Sequence, residues 1–392
     1  MEREFFFFTE MGYTAYPQDE AKRVGYNNLM FPNEHFSPEK AQELYGMYFD
    51  ELQYCTEAGF DGVMINEHHN NPLCMMPSVN VIGSVLASRT KQGKIVFLGN
   101  VLPIHDNPLR VAEEVAMIDI LSGGRVVCGF VRGIGQESMA TNTNPIYNRE
   151  RFDEAHNVIV QAWTQPGPFR YEGRHFHYRV VNPWVMPLQK PHPPIWIPGV
   201  ASPESVIWAA KHQYPYVALA PPLQLLSDIY QLYQNTAEDD GWKPTSQHRG
   251  YAVRVAVADS DEKAYEEGKN FYWQLGTSFG VTPNHWLAPP GYLTRAAATG
   301  AREQARRAVQ TVVPGGPVLP YDDAQETFQI VTGNPDTVIK KMKHLIDIID
   351  PGYVIFWGRE GPMSHDVAMR NIDLMTQEVI PALREYEAQR EG

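Results

Sequence analysis

Basic charge, cysteine and long apolar runs are all scarce in this chain. Lys plus Arg comes to 33 against 46 for Asp plus Glu, a formal charge of −13 over 392 residues. A surface of that sign repels polyanions and no basic run offsets it, so a nucleic-acid partner is not expected. The three cysteines, Cys55, Cys74 and Cys128, are far apart, odd in number and fit no C-x-x-C spacing. A reducing cytoplasm is the simple reading, with no disulfide framework. The four residues Phe5–Phe8 are too few for a signal segment or a membrane span, and no other long apolar run occurs, so no membrane role is expected. Internal repeats and low-complexity tracts are missing as well.

The chain is 43% hydrophobic, enough for a sizeable core. Short apolar runs alternate with amphipathic stretches of helical length. The runs predict strands at Phe5–Phe8, Asp61–Ile65, Lys94–Val101, Arg125–Val131, Ile195–Val200, Tyr216–Ala220, Tyr251–Ala258 and Tyr353–Trp357. Helix starts are marked by Ser37-Pro38-Glu39 and Asn334-Pro335-Asp336, where a capping side chain precedes proline and a carboxylate. Gly59 and Gly123-Gly124 mark helix ends. Eight strand–helix units favour a closed (β/α)₈ TIM barrel over an open doubly wound sheet. The expected organisation is a single unit over residues 1–392 with two excursions. One is a hairpin insertion at about 169–190, centred on Glu172-Gly173. The other is an insertion or mobile loop at about 273–325.

Three stretches carry candidate chemistry. Asn66-Glu67-His68-His69 ends the second strand, on the side where a barrel places its active site. Successive strand residues point to opposite sides, so His68 and His69 cannot both face inward. That weakens a two-histidine metal site and favours one histidine as acid, base or hydrogen-bond donor. A polar rim capping the barrel is an equal reading on composition. Arg125–Gly135 (RVVCGFVRGIG) places Arg132 at a strand end, a fixed cation suited to phosphate; a tight turn with a salt-bridged arginine explains it equally well. Gly199–Ser205 (GVASPES) leads from the fifth strand into a helix. Its free N–H groups and the Ser202 and Ser205 hydroxyls make an anion cradle, and an ordinary Ser202 cap fits too. His175 and His177 lie two apart on the hairpin with no further ligand nearby, so they read as solvated strand residues and no metal is expected. The cluster Phe271-Tyr272-Trp273, with Trp286 and Tyr292, is a candidate lining for a substrate mouth.

Taken in order, these segments resemble the bacterial luciferase-like, flavin-dependent monooxygenases, nearly end to end. The resemblance rests on Asn66-Glu67-His68-His69, Asn107–Glu114, Asp119–Arg125 leading to Val131-Arg132-Gly133, and Pro194–Ile197 leading to Gly199–Ser202. Thr332–Asp336 and Val379–Arg384 complete it. It implies a (β/α)₈ barrel binding reduced FMN at its mouth and using O2 to oxygenate a small organic substrate, by hydroxylation or Baeyer–Villiger chemistry. His68 maps to the family's active-site histidine and Arg132 to its phosphate-binding arginine. Val200, Ala201, Ser202 and Ser205 map to the phosphate turn. Leu98, Gly99 and Asn100 map to the strand end against which the flavin ring rests, often at a non-proline cis bond. Arg149 replaces an aromatic of some relatives and adds charge near the phosphate. The family also implies a separate NAD(P)H:flavin reductase and a homodimer paired through outer helices two and three; Val79, Val81, Ile82, Val85 and Leu86 fit such a buried face and fit packing within the subunit equally well. Residues of about 9–37 and 273–325 depart from luciferase itself, so its long-chain aldehyde substrate does not carry over. A deazaflavin-dependent oxidoreductase and a non-catalytic flavin-binding protein are the rival readings.

Overall fold

Four phenylalanines in a row leave no polar face, and a strand built from them must be covered on both sides. In the computed structural model, which describes residues 2–24, 28–274, 284–293 and 319–391, they form the core of β1 (Glu4–Thr9). β1 pairs in parallel with β2 (Gly62–Ile65) on one side and with β8 (Tyr353–Arg359) on the other. From β2 the ladder continues through β3 (Lys94–Phe97), β4 (Val126–Val131), β5 (Ile195–Gly199), β6 (Tyr216–Leu219) and β7 (Arg249–Val257). β7 closes the ring by pairing with β8, Gly250 opposite Tyr353. All eight expected strands are present and form a parallel (β/α)₈ barrel.

Alternation along the strands decides which side chains fill it. Phe6, Phe8, Met64, Val96, Leu98, Val127, Trp196, Val217, Ala252, Ile355 and Trp357 form one buried cluster inside the ring. Phe5, Phe7, Val63, Ile65, Ile95, Phe97, Cys128 and Phe130 point outward into a second cluster under the helices. Fully burying one such side chain contributes about 1.5–3 kcal/mol, so the two layers supply most of the drive for closure. The three cysteines are buried free thiols.

The helical starts form as the caps dictate. Ser37 accepts from Lys40 N at the head of α1 (Pro38–Ala58), which ends at Gly59 with φ 130°. Next come α2 (Val79–Arg89), α3 (Pro108–Ser122), α4 (Asn148–Thr164), α5 (Pro203–Lys211) and α6 (Leu223–Asp239). Asn334 accepts from Thr337 N to open α7 (Pro335–Ile349), and α8 (His365–Leu374) runs on through a π turn to Glu391. No helix among the described residues is long and apolar enough to cross a membrane.

Four details differ from the sequence reading. A ninth parallel strand, Ile330–Gly333, pairs with the far end of β7. It is four residues long and abuts the Asn334 cap, too short to show a period of its own. The hairpin forms, with Glu172 opposite His177, but His175 sits in its turn and bonds Glu150. The Glu154 carboxylate pins that turn to α4 by accepting from the backbone of Arg174, His175 and Phe176. Third, the Leu98–Gly99 bond is trans; the cis bonds among the described residues are Gly167–Pro168 and Lys190–Pro191. β3 turns a corner there and rejoins β4 through Asn100 and Val101. A Cβ on Gly99 would lie 2.7 Å from the Val131 side chain, so the glycine answers to the neighbouring strand. Fourth, Val79, Ile82 and Leu86 are buried within the subunit, leaving Val81 as the exposed apolar residue of that set. Most of the 273–325 excursion lies outside the described residues.

Candidate active site at the barrel mouth

Asn66 to His69 leave the end of β2 and enter a network of carboxylates. Asn66 Nδ2 donates to both Glu10 oxygens, at 3.2 and 3.0 Å, and lies 3.1 Å from His68 Nε2. On the other side of the ring, His68 Nδ1 is 2.7 Å from Glu137 Oε1. Glu137 belongs to the short helix Gly135–Ala140 after β4 and is buried. Its second oxygen accepts from the His69 backbone N–H at 3.2 Å. The His69 ring turns away and meets Glu67 at 3.3 Å. One carboxylate thus fixes both the His68 ring and the turn that carries it.

Burial works against a charged imidazole at His68. The Glu137 hydrogen bond and the charges of Glu10, Glu137 and Glu67 outweigh it and push the ring up to about 9. At neutral pH the ring is an imidazolium with a proton to give. A charged ring donates from both nitrogens, Nδ1 to Glu137 at 2.7 Å and Nε2 toward the side of Glu10, whose Oε2 lies 3.9 Å away.

A second group of side chains gathers where β4 and β5 end. Arg132 Nε and Nη1 are buried and make no hydrogen bond to a described residue. The guanidinium lies 4.8 Å from the centroid of the Tyr292 ring, whose hydroxyl donates to Gly133 O. Buried polar atoms without a protein partner are uncommon in native folds, and each calls for an explanation such as a water, an ion or a ligand. The Tyr216 hydroxyl is also buried and has no hydrogen-bond partner among the described residues, and a Cβ on Gly199 would meet it at 2.6 Å. Val200 and Ala201 follow as a partly buried turn, and Ser202 stands at the head of α5. The Ser202 side chain makes no cap; it donates to Glu204 at 3.1 Å, and Glu204 is 3.3 Å from Arg149 Nη2. Ser205 is half-buried in the first turn of the same helix.

A third group lines the seam between the first and last strands. Arg254 of β7 stacks on the Trp357 ring at 4.0 Å. Beside it Glu360 follows β8, buried, with neither carboxyl oxygen hydrogen-bonded to a described residue. Burial, held in check by Arg254, pushes Glu360 up to about 8, so it is a neutral acid at pH 7. Trp273 covers this seam: Cβ atoms on Gly12 and Gly361 would lie 2.9 and 2.7 Å from its ring. Asn100, at the corner after β3, is fully buried, and neither amide atom has a hydrogen-bond partner among the described residues.

His68, Asn100, Arg132 and Ser202 therefore stand at the C-terminal ends of β2, β3, β4 and β5, around one mouth. The sequence reading missed Glu10, Glu137, Tyr216, Glu204, Arg254 and Glu360. Arg254 left a signal, a lone cation inside the apolar run of β7. Glu137 left none, since its role depends on a fold-back from the far side of β4. No group of three or more His, Cys, Asp or Glu among the described residues has the geometry of a metal site.

The family model described as luciferase-like monooxygenase matches residues 21–349. An uncharacterized protein of Sinorhizobium fredii, y4wF, is 31% identical over 224 residues, 56% of this chain, and the match spans 64% of that relative's length. The 2,5-diketocamphane 1,2-monooxygenase 2 of Pseudomonas putida is 21% identical over 88% of this chain and 95% of its own. Among solved structures, the oxygenating constituent of 3,6-diketocamphane monooxygenase from Pseudomonas putida, a type II Baeyer–Villiger enzyme in complex with FMN, superposes with a TM-score of 0.69. That match is at 17% identity and covers 97% of this chain and 98% of the other. The chain belongs to the luciferase-like monooxygenase family.

Proposed function

We propose that this chain is the oxygenase of a two-component system, using reduced FMN and O2 to oxygenate a small organic substrate. The observation that carries it is the bare Arg132 guanidinium beside the head of α5. A flavin phosphate fits that place: it would accept from Arg132 and the Tyr216 hydroxyl at the positive end of α5, where Pro203 brings no N–H and the Ser205 N–H bonds Ser202 O. The unpaired Asn100 amide, next to the Leu98–Gly99 corner, offers a donor and an acceptor to the ring system. When bound, reduced FMN supplies the two electrons with which O2 gives one atom to substrate and one to water. His68 holds and returns the proton this requires, Glu137 orients its ring, and Trp273 with Phe271 keeps water from the seam. The same reading includes a separate NAD(P)H:flavin reductase, a cytoplasmic location and a single-domain chain. It includes a homodimer through the exposed Val81, Met117, Ile120 and Leu121 of α2 and α3. Light scattering at micromolar concentration is expected to give twice the chain mass; a monomer sinks the dimer.

The test is to add photoreduced FMN, or a reduced deazaflavin, to the protein without air, and then admit O2. The protein should bind reduced FMN and delay the return of oxidised-flavin absorbance relative to free FMN. Return at the free rate rules out oxygenase chemistry. Tight binding of the deazaflavin alone supports a hydride-transfer enzyme instead.

Glu137→Gln checks the proton assignment. With Glu137 present, the His68 cation persists until the pH rises through about 9. Replacing the anion removes an upward influence and leaves burial opposed by less charge. The alkaline limb of the rate–pH profile should move to lower pH by at least about one unit. An unmoved limb would assign it to another group.

A further inference from the structure

We propose that Glu204 is a resident anion in the phosphate site, which the cofactor's phosphate must displace from Arg149 and Ser202. The proposal rests on the flavin reading above and adds to it a residue that sets how tightly the phosphate is held.

The geometry is specific. Glu204 occupies the second position of α5, in the first turn at the helix's positive end. Its carboxylate takes the Ser202 hydroxyl at 3.1 Å and faces the Arg149 guanidinium at 3.3 Å. Arg149 in turn lies close enough to Arg132 and Tyr292 to feel both. Burial and the Arg132 charge disfavour its cation, and Glu204 opposes them. The two cations repel each other. The carboxylate relieves that repulsion while no cofactor is present. The buried Tyr216 hydroxyl, which feels the Arg132 charge and has no hydrogen-bond partner among the described residues, adds a donor on the same side.

A phosphate carries more charge than a carboxylate and more acceptor oxygens. When it arrives, Arg149 and Ser202 gain a stronger partner, and the Glu204 carboxylate is left beside a like charge. The exchange therefore subtracts from the binding free energy of any phosphorylated ligand. Riboflavin, which lacks the phosphate, escapes this cost. For an oxygenase fed by a separate reductase the effect is useful: spent FMN leaves sooner.

The experiment titrates oxidised FMN, riboflavin and inorganic phosphate against wild-type protein and Glu204→Gln. FMN is followed by fluorescence quenching and phosphate by thermal shift. The glutamine keeps the shape and removes the charge. FMN and phosphate should bind about tenfold more tightly to Glu204→Gln. The gain should grow as pH rises through the phosphate's second ionisation, near about 6. Riboflavin affinity should not change. Without ligand the variant should melt lower than wild type, and saturating FMN should close that gap. Equal or weaker FMN binding by Glu204→Gln overturns the proposal and leaves the flavin reading standing. If neither protein binds FMN or phosphate, the proposal falls together with that reading.

Discussion

His68→Ala is expected to lower oxygenated product at least about a hundredfold while reduced-FMN affinity stays within a few-fold. A positioned acid or base contributes typically about 10²–10⁴ in rate. Here the positioning is visible: Glu137 holds Nδ1 at 2.7 Å, and Asn66 lies at the other nitrogen. Alanine removes the proposed proton carrier but none of the proposed phosphate contacts, which belong to β4 and α5. Oxygen consumption should therefore continue, with electrons diverted to hydrogen peroxide. His69→Ala should do less, because its ring turns to Glu67. Product and peroxide are read together on the same samples. A dead His69 variant beside an active His68 variant would reverse the two roles. Normal turnover by both would reduce the stretch to a polar rim.

Arg132→Ala should weaken FMN binding by about one to two decades. A hydrogen bond to a charged group contributes roughly 1.5–3 kcal/mol, and each 1.4 kcal/mol is a factor of about ten. The arginine makes no salt bridge to a described residue that its loss would expose; it stacks on Tyr292. The variant should fold, and riboflavin should bind it as it binds wild type. Equal FMN affinity in the two proteins would remove Arg132 from the site.

The barrel was legible because its signals are local. Each strand is a short apolar run, each major helix has its cap or its proline, and eight such units admit few arrangements. His68, Arg132 and the Ser202 turn were legible for the same reason, since each ends a strand whose direction is known. Ile330–Gly333 was not, because four residues beside a helix cap carry no period. Glu137 and Glu360 were invisible for a different reason. Their meaning depends on what lies opposite them, and the partners sit at chain positions 10, 68 and 254. The Ser202 turn was half-read: its place was right, but Glu204 had taken the hydroxyl. Val79, Ile82 and Leu86 show the limit of apolar patterning, which marks a buried face without saying what buries it.

The seam between β1 and β8 has a consequence for assembly. Glu4 lies opposite Tyr353, and Arg3 bonds Asp350 across 347 residues of sequence. Contacts of such long range carry the largest chain-closure cost, so they reward the chain only after the intervening units have condensed. Glu10 and Glu360 flank that seam, and Trp273 packs over the glycines just beyond them. Arg132 and the Ser202 turn, at the ends of consecutive β4 and β5, can therefore come together before the contacts of Glu10 and Glu360 across the seam form. In the order of folding, the residues proposed to hold the cofactor's phosphate come before those of the seam.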